Sequence, residues 1–514
     1  MAGAPPYVLG VDCGTQSLRS ALFDLAGNPV AQAVEGFETT YPQVSWAEQN
    51  PEDWLRAMTH TVRDCLSQAG IRPEDVCGIG LDTTACTPVA VDDHGTPLRP
   101  ALLWMDQRAH REAAVLSATG HPILRYAGGP VSPEWGIPKS LWLKANEPET
   151  YRRAARIVDC SEFLTFHLTG NWVASLNTLT CKWNYARPDG GYAGDLLESL
   201  GLADWRTKYV QDVRPVGDRA GELTPIAAER LGLNAGTPVA VGGIDAYMGM
   251  IGLNVVEPGR MALVMGSSTC HMCLCAHGVF GSNVWGPFPD ALTLGAWVLE
   301  GGQTATGSIV KWFADGFCGT YAAEAKARGQ SIYALLDAEA ARVPIGSEGV
   351  VCVDYFQGNR TPLRDPLARG ALWGLGLRHG PGHILRAIYE GTAFGTRHIV
   401  EDMAAAGFSP TEIYACGGGA RSRLWLQIHA DACGLPITLT EVQEAAALGS
   451  AILGAVAAGL FPSIPEAAAQ MVRTTDRVEP NAANRAEYDF YFDKYVRTYP
   501  ALKDLMHEVA GHVV

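Results

Sequence analysis

The same short turn pattern occurs twice in this chain of 514 residues. In each half, an apolar segment with the alternation of a β-strand leads into a cluster of glycine and small hydroxyl residues, and a second strand-like segment follows. The first cluster is GVDCGTQS, where Asp12 ends the strand, and the second is VMGSSTC, which contains residues 266–269. A repeat of this kind predicts two related α/β domains, and the chain is too long for one ordinary core.

The segments around the first turn have the order of an α/β layered domain. Alternating apolar residues predict strands in YVLGVD, on both sides of the Ala26–Asn28 turn, and in CGIGLDTTA, which runs through Asp82. Between them, PEDWLRAMTHTVRDCLSQAG has apolar residues at helical spacing and acidic residues in its first turn. Strand meander, helix and strand together indicate the α/β class.

The later part of the chain is read as follows. Residues 445–460 predict a buried helix, because the stretch is shorter than the ~20 residues that a membrane span needs and is interrupted by glycine. Helical segments close the chain, with a break expected at Pro500. The segment NVVEPG marks the boundary between an N-terminal domain of residues 1–255 and a C-terminal domain of residues 256–514.

Charge and cysteine usage exclude several classes of partner. A formal net charge of −15 argues against nucleic acid or an anionic membrane surface as the main partner. The segment MAGAPPYVLGVDCGTQS lacks the features of a secretory signal, and thirteen scattered cysteines favour reduced thiols, so we expect a cytoplasmic protein. Cys270, Cys273 and Cys275 have a spacing seen in metal sites, but they continue a strand-like segment, and a strand is the favoured interpretation.

The first turn is a candidate phosphate site. After Asp12, the residues Gly14, Thr15, Gln16 and Ser17 expose successive backbone N–H groups and small hydroxyls. Such a turn can hold phosphate oxygens, and a carboxylate at its edge can hold magnesium through water. The alternative is an ordinary hairpin turn, which by itself is the commoner structure.

The second turn, with Gly266, Ser267, Ser268 and Thr269, offers the same donors. The alternative here is a polar turn between core strands. Two such turns in two similar domains indicate a nucleotide phosphate chain held from both sides of a cleft.

A run of three glycines, Gly417, Gly418 and Gly419, follows the apolar strand EIYAC and precedes the helical pattern of RLWLQIHADACG. Glycine lets the backbone approach a flat ligand closely, so this run predicts contact with a nucleoside at the start of a helix. The alternative is a strand-to-helix turn that needs positive φ angles.

Asp245 is the candidate catalytic base. It follows two glycines in GGIDA and precedes a segment of small residues suited to close helix packing. A carboxylate there could take a hydroxyl proton during phosphoryl transfer from ATP. The alternative is a helix cap.

These motifs, in this order, closely resemble the FGGY carbohydrate kinases over nearly the whole chain: GVDCGTQS, GGIDAYMG, MGSSTC, GNRTP and CGGGARSRLWLQIHAD. The resemblance implies two ribonuclease-H-like domains of the actin-like ATPase superfamily around a central cleft. It implies that Asp12 and its turn hold the phosphates and Mg²⁺, that Asp245 is the catalytic aspartate and also lies at the metal, and that the glycine run lies against adenosine. It also assigns Gln303 and Ser422 to the nucleotide.

Within that family, GGPVSPEWGIPKSLWLK, LTCKWNYA, SSTCHM and LEGGQTATG are similar to the ribulokinases. This similarity implies that Lys182, Asp245 and Glu300 contact a ketopentose and that Thr84 and Ala85 line its pocket. A lysine and two carboxylates can hold several hydroxyls by charge-assisted hydrogen bonds. Alternatively, Lys182 and Glu300 are surface residues in ordinary ion pairs. In the wider family, the region of Asp106, Arg108 and His110 lies near the sugar. The alternative is a solvated helix start with internal ion pairs, and these residues are left out of the core site.

The turn TTACTPV is somewhat nearer to eukaryotic-type D-ribulokinases, which favours D-ribulose as the acceptor. L-Ribulose, D-xylulose and related polyols stay open, as does a non-metabolic ATPase of the same superfamily. The expected ligands are ATP, Mg²⁺ and a sugar, with no nucleic acid and no membrane. A homodimer is one of the oligomeric states that the sequence leaves open.

Overall fold

The structure is a computed structural model that describes residues 6–281 and 283–513. Residues 1–5, part of the segment considered for a secretory signal, lie outside the described residues. The strands are β1 (Tyr7–Cys13), β2 (Ser17–Asp24), β3 (Pro29–Gly36), β4 (Glu48–Gln49), β5 (Val76–Thr83), β6 (Val89–Val91), β7 (Ala101–Leu102), β8 (Arg156–Val158), β9 (Ala174–Ser175), β10 (Tyr185–Ala186), β11 (Gly191–Tyr192), β12 (Val213–Arg214), β13 (Arg219–Glu222), β14 (Pro238–Ala240), β15 (Gly243–Ile244), β16 (Arg260–Met265), β17 (Thr269–Cys275), β18 (Trp285–Pro289), β19 (Trp297–Gln303), β20 (Val351–Val353), β21 (Ala371–Trp373), β22 (Glu412–Cys416), β23 (Ile437–Thr440) and β24 (Thr474–Val478).

The α-helices are α1 (Pro51–Ala69), α2 (His110–Ala118), α3 (Gly136–Asn146), α4 (Pro148–Arg153), α5 (Cys160–Thr169), α6 (Leu176–Lys182), α7 (Gly194–Ser199), α8 (Trp205–Lys208), α9 (Pro225–Leu231), α10 (Asp245–Gly252), α11 (Gly307–Phe317), α12 (Gly319–Arg328), α13 (Ile332–Ala340), α14 (Pro381–Ala405), α15 (Arg423–Cys433), α16 (Ala445–Ala457), α17 (Ile464–Met471) and α18 (Arg485–His512).

Two large sheets have the same central arrangement. The first has the order β13-β14-β5-β1-β2-β3, with β15 also pairing with β5, and the second has the order β18-β19-β17-β16-β22-β23-β24. In the first sheet β1 pairs antiparallel with β2 and parallel with β5, and in the second β16 pairs antiparallel with β17 and parallel with β22. The predicted α/β fold with two related halves is confirmed, and Cys270, Cys273 and Cys275 lie on strand β17 as expected.

Helix α1 shows how the local sequence sets an element. Asn50 caps it by accepting a hydrogen bond from the Glu52 N–H, and Gly70 ends it with a positive φ of 61°. Trp54, Met58 and other residues at helical spacing lie on its buried face, which packs into the core beside the first sheet.

Helix α16 belongs to the second half of the sequence but packs against the first sheet. Its predicted burial is confirmed, and glycines make the close approach possible. A Cβ atom on Gly80 of β5 would lie 1.8 Å from the Ser450 carbonyl oxygen of α16, and one on Gly252 of α10 would lie 1.9 Å from that of Ala445. Contacts this short require glycine, so α16 joins the two halves next to α10.

Helix α18 corrects one expectation. The sequence predicts a break at Pro500, whereas the structure shows a continuous helix from Arg485 to His512 with this proline inside it. Tyr495 and Tyr499, which precede the proline, are buried, and their packing into the second core supports the helix through a residue that disfavours it. Among the described residues, no helix combines the length and the apolar character needed to cross a membrane. The domain boundary between residues 255 and 256 stays a prediction.

Candidate active site

Three neighbouring parallel strands of the first sheet bring acidic residues to one edge. Asp12 lies near the end of β1, Asp82 near the end of β5, and Asp245 directly after β15. Asp12 and Asp82 are register partners, and Asp82 is also the partner of Gly243. Because the carboxyl ends of parallel strands meet at one edge, side chains from distant parts of the chain gather there.

Asp245 is the first residue of α10. The Asn177 side-chain oxygen accepts a hydrogen bond from the Ile244 N–H at 2.9 Å, and Asp245 Oδ1 accepts one from the Ala246 N–H at 2.6 Å. Burial and then the negative charge of Asp12 raise the pKa of Asp245 to about 7, although the Ala246 N–H and the Lys182 charge oppose the rise. A carboxyl group of this kind can accept a proton near neutral pH.

Asp82 is a residue whose place in this acidic group the sequence analysis missed. Its side chain is fully buried, and its Oδ2 accepts a hydrogen bond from Ser450 Oγ of α16 at 2.6 Å. Burial and the charge of Asp12 raise its pKa well above the usual range for an aspartate. The signal in the sequence is that two strands of one sheet, at Asp12 and Asp82, carry an acidic residue at the same end.

Arg19 is a second missed residue. It lies on β2, with its Nη1 atom 3.6 Å from Asp12 Oδ2, and it also forms an ion pair with Glu444 just before α16. This guanidinium connects the acidic edge of the first sheet to the second half of the chain. Arg19 is two residues after Ser17 on β2, so strand alternation places the two side chains on the same face of the strand. Ser17 belongs to the predicted phosphate turn.

Hydrogen bonds within the first turn and from Trp104 and Gln49 hold it in place. The Gly14 N–H donates to the Ser17 carbonyl oxygen at 3.0 Å, the Trp104 indole N–H donates to Thr15 Oγ1 at 3.0 Å, and Gln49 Nε2 donates to the Thr15 carbonyl oxygen at 2.6 Å. Gln16 is exposed. Among the described residues, the backbone N–H groups of Thr15 and Gln16 have no acceptor, so both can bind an anion.

The second turn lies at the start of helix α11. The Gly266 N–H donates to the Ser268 carbonyl oxygen at 2.9 Å, and the N–H groups of Thr306 and Ser308 donate to the Ser267 carbonyl oxygen at 2.9 and 3.0 Å. Gly266 and Ser267 are exposed. Thr269 is buried and its hydroxyl bonds Thr306, so within this turn its side chain supports the structure.

The three consecutive glycines at residues 417–419 differ in whether the surrounding atoms leave room for a side chain. Gly417 has a φ of 92°, and a Cβ on it would lie 2.6 Å from the Met265 carbonyl oxygen. A Cβ on Gly419 would lie 2.8 Å from the Trp425 ring, whereas one on Gly418 would meet no atom within 4 Å. Packing therefore explains Gly417 and Gly419, and Gly418 leaves open space beside its backbone.

Lys182 and Glu300 form an ion pair that joins the two halves of the chain. Lys182 ends α6, Glu300 lies on β19, and Lys182 Nζ is 3.1 Å from Glu300 Oε2, with the two side chains only 14% and 13% exposed. Tyr247 also donates to Glu300 Oε2 at 3.1 Å. Burial by itself would raise the pKa of Glu300, but Lys182, Arg360 and Tyr247 lower it below its usual value. The alternative of an ordinary surface ion pair does not fit this burial.

Thr84 and Ala85 directly follow β5, next to the first turn. The Thr84 N–H donates to the Cys13 carbonyl oxygen at 3.1 Å, and its hydroxyl lies 3.1 Å from that of Thr87. Ala85 is half-buried and contacts two of the hydrophobic cores. Both residues therefore lie beside the acidic edge of the first sheet.

Comparison with models of known protein families shows what kind of site this is. The N-terminal domain of the FGGY family of carbohydrate kinases matches residues 7–252, and the C-terminal domain of that family matches residues 261–458. The chain belongs to the FGGY family of carbohydrate kinases. It is therefore a phosphotransferase, and the family implies ATP as the phosphoryl donor and a carbohydrate as the acceptor.

Individual relatives agree with this assignment. The kinase is 35% identical to the "FGGY carbohydrate kinase domain-containing protein" of Xenopus laevis, over 96% of both chains. It is 33% identical to a ribulokinase of Anoxybacillus flavithermus, over 96% of this chain and 94% of that one. The crystal structure of a xylulose kinase from Rhodospirillum rubrum superposes with a TM-score of 0.87 at 28% identity, covering 98% of this chain and 100% of the other. The fold is thus the two-domain fold of the actin-like ATPases.

Two predicted nucleotide residues of the kinase have structural contacts. The Gln303 amide is buried and donates to Asp354 Oδ2 at 2.8 Å and to the Thr392 carbonyl oxygen at 2.9 Å. Ser422 Oγ accepts a hydrogen bond from the Trp425 N–H at 3.2 Å and caps α15. The structure does not direct the Gln303 side chain to the turns or to Gly418.

Asp106 and Arg108 correct another expectation. The alternative of a solvated helix start is wrong for these two residues, because both are buried. The expected internal ion pair is present, with Arg108 Nη2 2.7 Å from Asp106 Oδ2. The Arg108 guanidinium also lies 3.8 Å from the centre of the Trp46 ring. Only His110, at the start of α2, is exposed. The sequence does not show this burial because Trp46 is distant along the chain.

The donors around Asp12 suit a magnesium ion that keeps most of its water. Among residues 6–281 and 283–513, no group of three or more His, Cys, Asp or Glu side chains gathers to hold a metal ion. Mg²⁺ is commonly held by one or two carboxylates together with waters and substrate phosphates. The partly buried carboxylates of Asp12 and Asp245 fit that pattern.

Proposed function

We propose that this kinase transfers the terminal phosphate of ATP to the terminal hydroxyl of a ketopentose, converting D-ribulose to D-ribulose 5-phosphate. The observation that carries the proposal is the environment of Asp245. Burial and the charges of Asp12 and Glu300 raise its pKa to about 7, although the Ala246 N–H and the charge of Lys182 lower it. A base between a phosphate turn and a sugar-binding ion pair is what alcohol phosphorylation requires.

In the proposed reaction, Asp245 orients the 5-hydroxyl of the sugar and accepts its proton. The sugar oxygen forms a bond to the terminal phosphorus of ATP, the bond from that phosphorus to the bridging oxygen of ADP breaks, and ADP leaves. The raised pKa makes this carboxylate a stronger base than an ordinary aspartate.

The proposed nucleotide site combines both turns. The unpaired N–H groups of Thr15 and Gln16 and the exposed Ser267 offer donors to the phosphates, and the open backbone at Gly418 offers a surface to the nucleoside. Asp12 and Asp245 would hold Mg²⁺, which neutralises phosphate charge when bound. Helix α11 begins beside the second turn, and its N-terminal end favours anions.

The sugar is assigned to Lys182, Glu300, Thr84 and Ala85. Several relatives, including those of Anoxybacillus flavithermus and Geobacillus thermodenitrificans, are named ribulokinase, which supports a ketopentose. The TTACTPV turn supports D-ribulose over L-ribulose, and D-xylulose and the pentitols are the other candidate acceptors. A non-metabolic ATPase is disfavoured, because the chain belongs to a family of carbohydrate kinases.

A panel of ketopentoses and pentitols, measured by ADP release, tests the acceptor. We expect the highest kcat/KM with D-ribulose and a product phosphorylated at C5 by ³¹P and ¹³C NMR. A higher kcat/KM with L-ribulose or D-xylulose would identify that sugar as the acceptor, and the proposed mechanism would still hold. ATP hydrolysis that no sugar or polyol stimulates would overturn the proposal. The homodimer and the cytoplasmic location stay predictions, and light scattering of the purified protein tests the former.

A further inference from the structure

Arg360 lies in the loop between β20 and β21, and its backbone is tightly held. Thr361 Oγ1 accepts a hydrogen bond from the Gly302 N–H at 2.8 Å and donates one to the Gly302 carbonyl oxygen at 2.9 Å. On the other side, Thr304 Oγ1 donates to the Gly358 carbonyl oxygen at 2.9 Å. The loop is therefore fixed to β19, the strand that carries Glu300.

The Arg360 guanidinium has a defined position but no polar partner. Its central carbon lies 4.4 Å from the centre of the Trp285 ring, and the residue is half-buried. In the part of the chain that the structure describes, Arg360 makes no hydrogen bond or ion pair. Two other arginines of the same loop are paired: Arg364 donates to the carbonyl oxygens of Asn283 and Val284, and Arg369 donates to those of its neighbours. A guanidinium has five N–H donors, so those of Arg360 are free to bind a ligand.

The neighbours of Arg360 belong to the proposed sugar site. Trp285 pairs with Glu300 across β18 and β19, and the Lys182 ammonium lies 5.5 Å from the centre of the same ring. A Cβ on Gly302 would lie 3.4 Å from Arg360 Cδ, so the arginine lies over a position without a side chain. Trp285 therefore contacts two cations, Lys182 and Arg360.

Glu300 forms neither a hydrogen bond nor an ion pair with Arg360. Its Oε2 atom already accepts hydrogen bonds from Lys182 and Tyr247, and no Arg360 nitrogen lies within ion-pair distance. The Glu300 carboxylate is near enough for the Arg360 charge to lower its pKa. The donors of Arg360 are thus held beside the ion pair but directed to something other than protein.

We propose that Arg360 is a sugar-binding residue that sets acceptor specificity, its guanidinium held on Trp285 so that it donates hydrogen bonds to oxygen atoms of the acceptor. This inference rests on the proposed function, because it takes Lys182 and Glu300 as the sugar site. A planar guanidinium can reach two oxygens at once in a fixed geometry, which a lysine cannot do. An acceptor that lacks one of those oxygens would lose its hydrogen bond to Arg360 and would be phosphorylated with a lower kcat/KM.

The test compares Arg360→Met and Arg360→Lys with Arg369→Met as the matched control from the same loop. We expect both Arg360 variants to lower kcat/KM for the sugar, Arg360→Met by about 10- to 100-fold and Arg360→Lys by less. The KM for ATP and the activity of Arg369→Met should stay near wild type. Wild-type kcat/KM for the sugar in both Arg360 variants would overturn the inference.

Specificity is measured with ketopentose analogues that each lack one hydroxyl other than the reacting one. In the wild-type enzyme every missing hydroxyl that a side chain binds should lower kcat/KM. In Arg360→Met the penalty for at least one of these hydroxyls should disappear, because its partner is gone. Unchanged penalties for every analogue would show that Arg360 does not bind the sugar, even if activity falls.

Calorimetry separates this inference from the proposed function. In an Asp245→Asn background, sugar binding is measured directly without turnover, and adding Arg360→Lys, the variant that keeps the charge, should weaken it several-fold. Equal sugar affinity with and without the Arg360 change would overturn the inference. If the wild-type enzyme shows no sugar-dependent ADP release and binds no acceptor, the proposed function itself fails.

Discussion

The strand–turn–strand unit at Asp12 and the one at Val264 occupy equivalent places in the two sheets. In each unit, a glycine two residues farther along begins the turn, donating its N–H to a carbonyl oxygen at 3.0 Å for Gly14 and at 2.9 Å for Gly266. In the first sheet, Asp12 is the parallel partner of Asp82. In the second, Val264 is the parallel partner of Cys416.

The two halves therefore share the arrangement of the backbone, but the side chains at equivalent positions differ in their chemistry. The first half carries the acidic group at the end of its strands, together with Arg19 and the proposed base. The second half has apolar residues at those positions and instead presents the exposed Ser267, the start of α11 and the open backbone at Gly418. We therefore expect acidic substitutions to affect chemistry in the first half and backbone substitutions to affect nucleotide binding in the second.

The largest effect is expected at Asp245. Asp245→Asn removes the proposed base while keeping the size of the side chain, so kcat should fall by about 10²- to 10⁴-fold. ATP affinity, measured by calorimetry, should change little, because the donors of both turns remain. A variant with near-normal kcat would remove this carboxylate from the mechanism.

The comparison itself is tested by a matched pair at Asp12 and Val264. Asp12→Asn should lower kcat/KM by roughly 100-fold and raise the Mg²⁺ concentration needed for half-maximal rate, because a charge that helps hold the metal is lost. Val264→Ala, at the equivalent place, should cost about 1 kcal/mol of stability and leave the Mg²⁺ dependence unchanged. Equal shifts in Mg²⁺ dependence would contradict the division of roles.

Substitutions at two glycines test the comparison further, through the free energy of unfolding and the KM for ATP. Gly80→Ala places a Cβ against the Ser450 carbonyl oxygen, so unfolding by denaturant should show a loss of about 1–3 kcal/mol. Gly418→Ala faces open space and should change stability by no more than about 0.5 kcal/mol, but it should raise the KM for ATP. If Gly418→Ala leaves the KM for ATP unchanged, the nucleoside does not lie against this backbone.

The smallest expected effect concerns pH and the second half. Burial lowers the pKa of His271 to about 3 and that of His429 to about 4, and the charge of His429 adds to the effect on His271. Both are neutral when folded, whereas the unfolded chain takes up protons near pH 6.5, so stability is complete above that pH and is lost as pH falls toward the folded pKa.

Between pH 7 and pH 6, each histidine should reduce the free energy of unfolding by roughly 0.7 kcal/mol. Denaturation of wild type and His429→Gln at these two pH values measures the difference, and the variant should lose less stability on acidification. An identical loss in both proteins would show that His429 also takes up a proton in the folded state.

Much of the fold and part of the site follow from local sequence patterns. Alternation predicts β1, β2, β3 and β5, capping and helical spacing predict α1, and small apolar residues predict the burial of α16. Asp12, Asp245 and the two turns stand out because each follows an apolar strand directly. These features depend on neighbours within a few residues, so one sequence is enough to read them.

The remaining features are set by contacts between distant segments. The partnership of Asp12 with Asp82, the ion pair of Arg19 with Glu444 and the burial of Arg108 under Trp46 all join residues far apart in the chain. Tertiary packing also carries α18 through Pro500, where local propensity predicts a break. Periodicity and turn residues determined strands such as β1 and β5, helices such as α1 and the choice of Asp245 as candidate base. Only the folded structure decided which charges meet and which donors, like those of Arg360, stay unpaired. The physical reason is that burial and electrostatic pairing depend on distances in space, which the local order of residues does not specify.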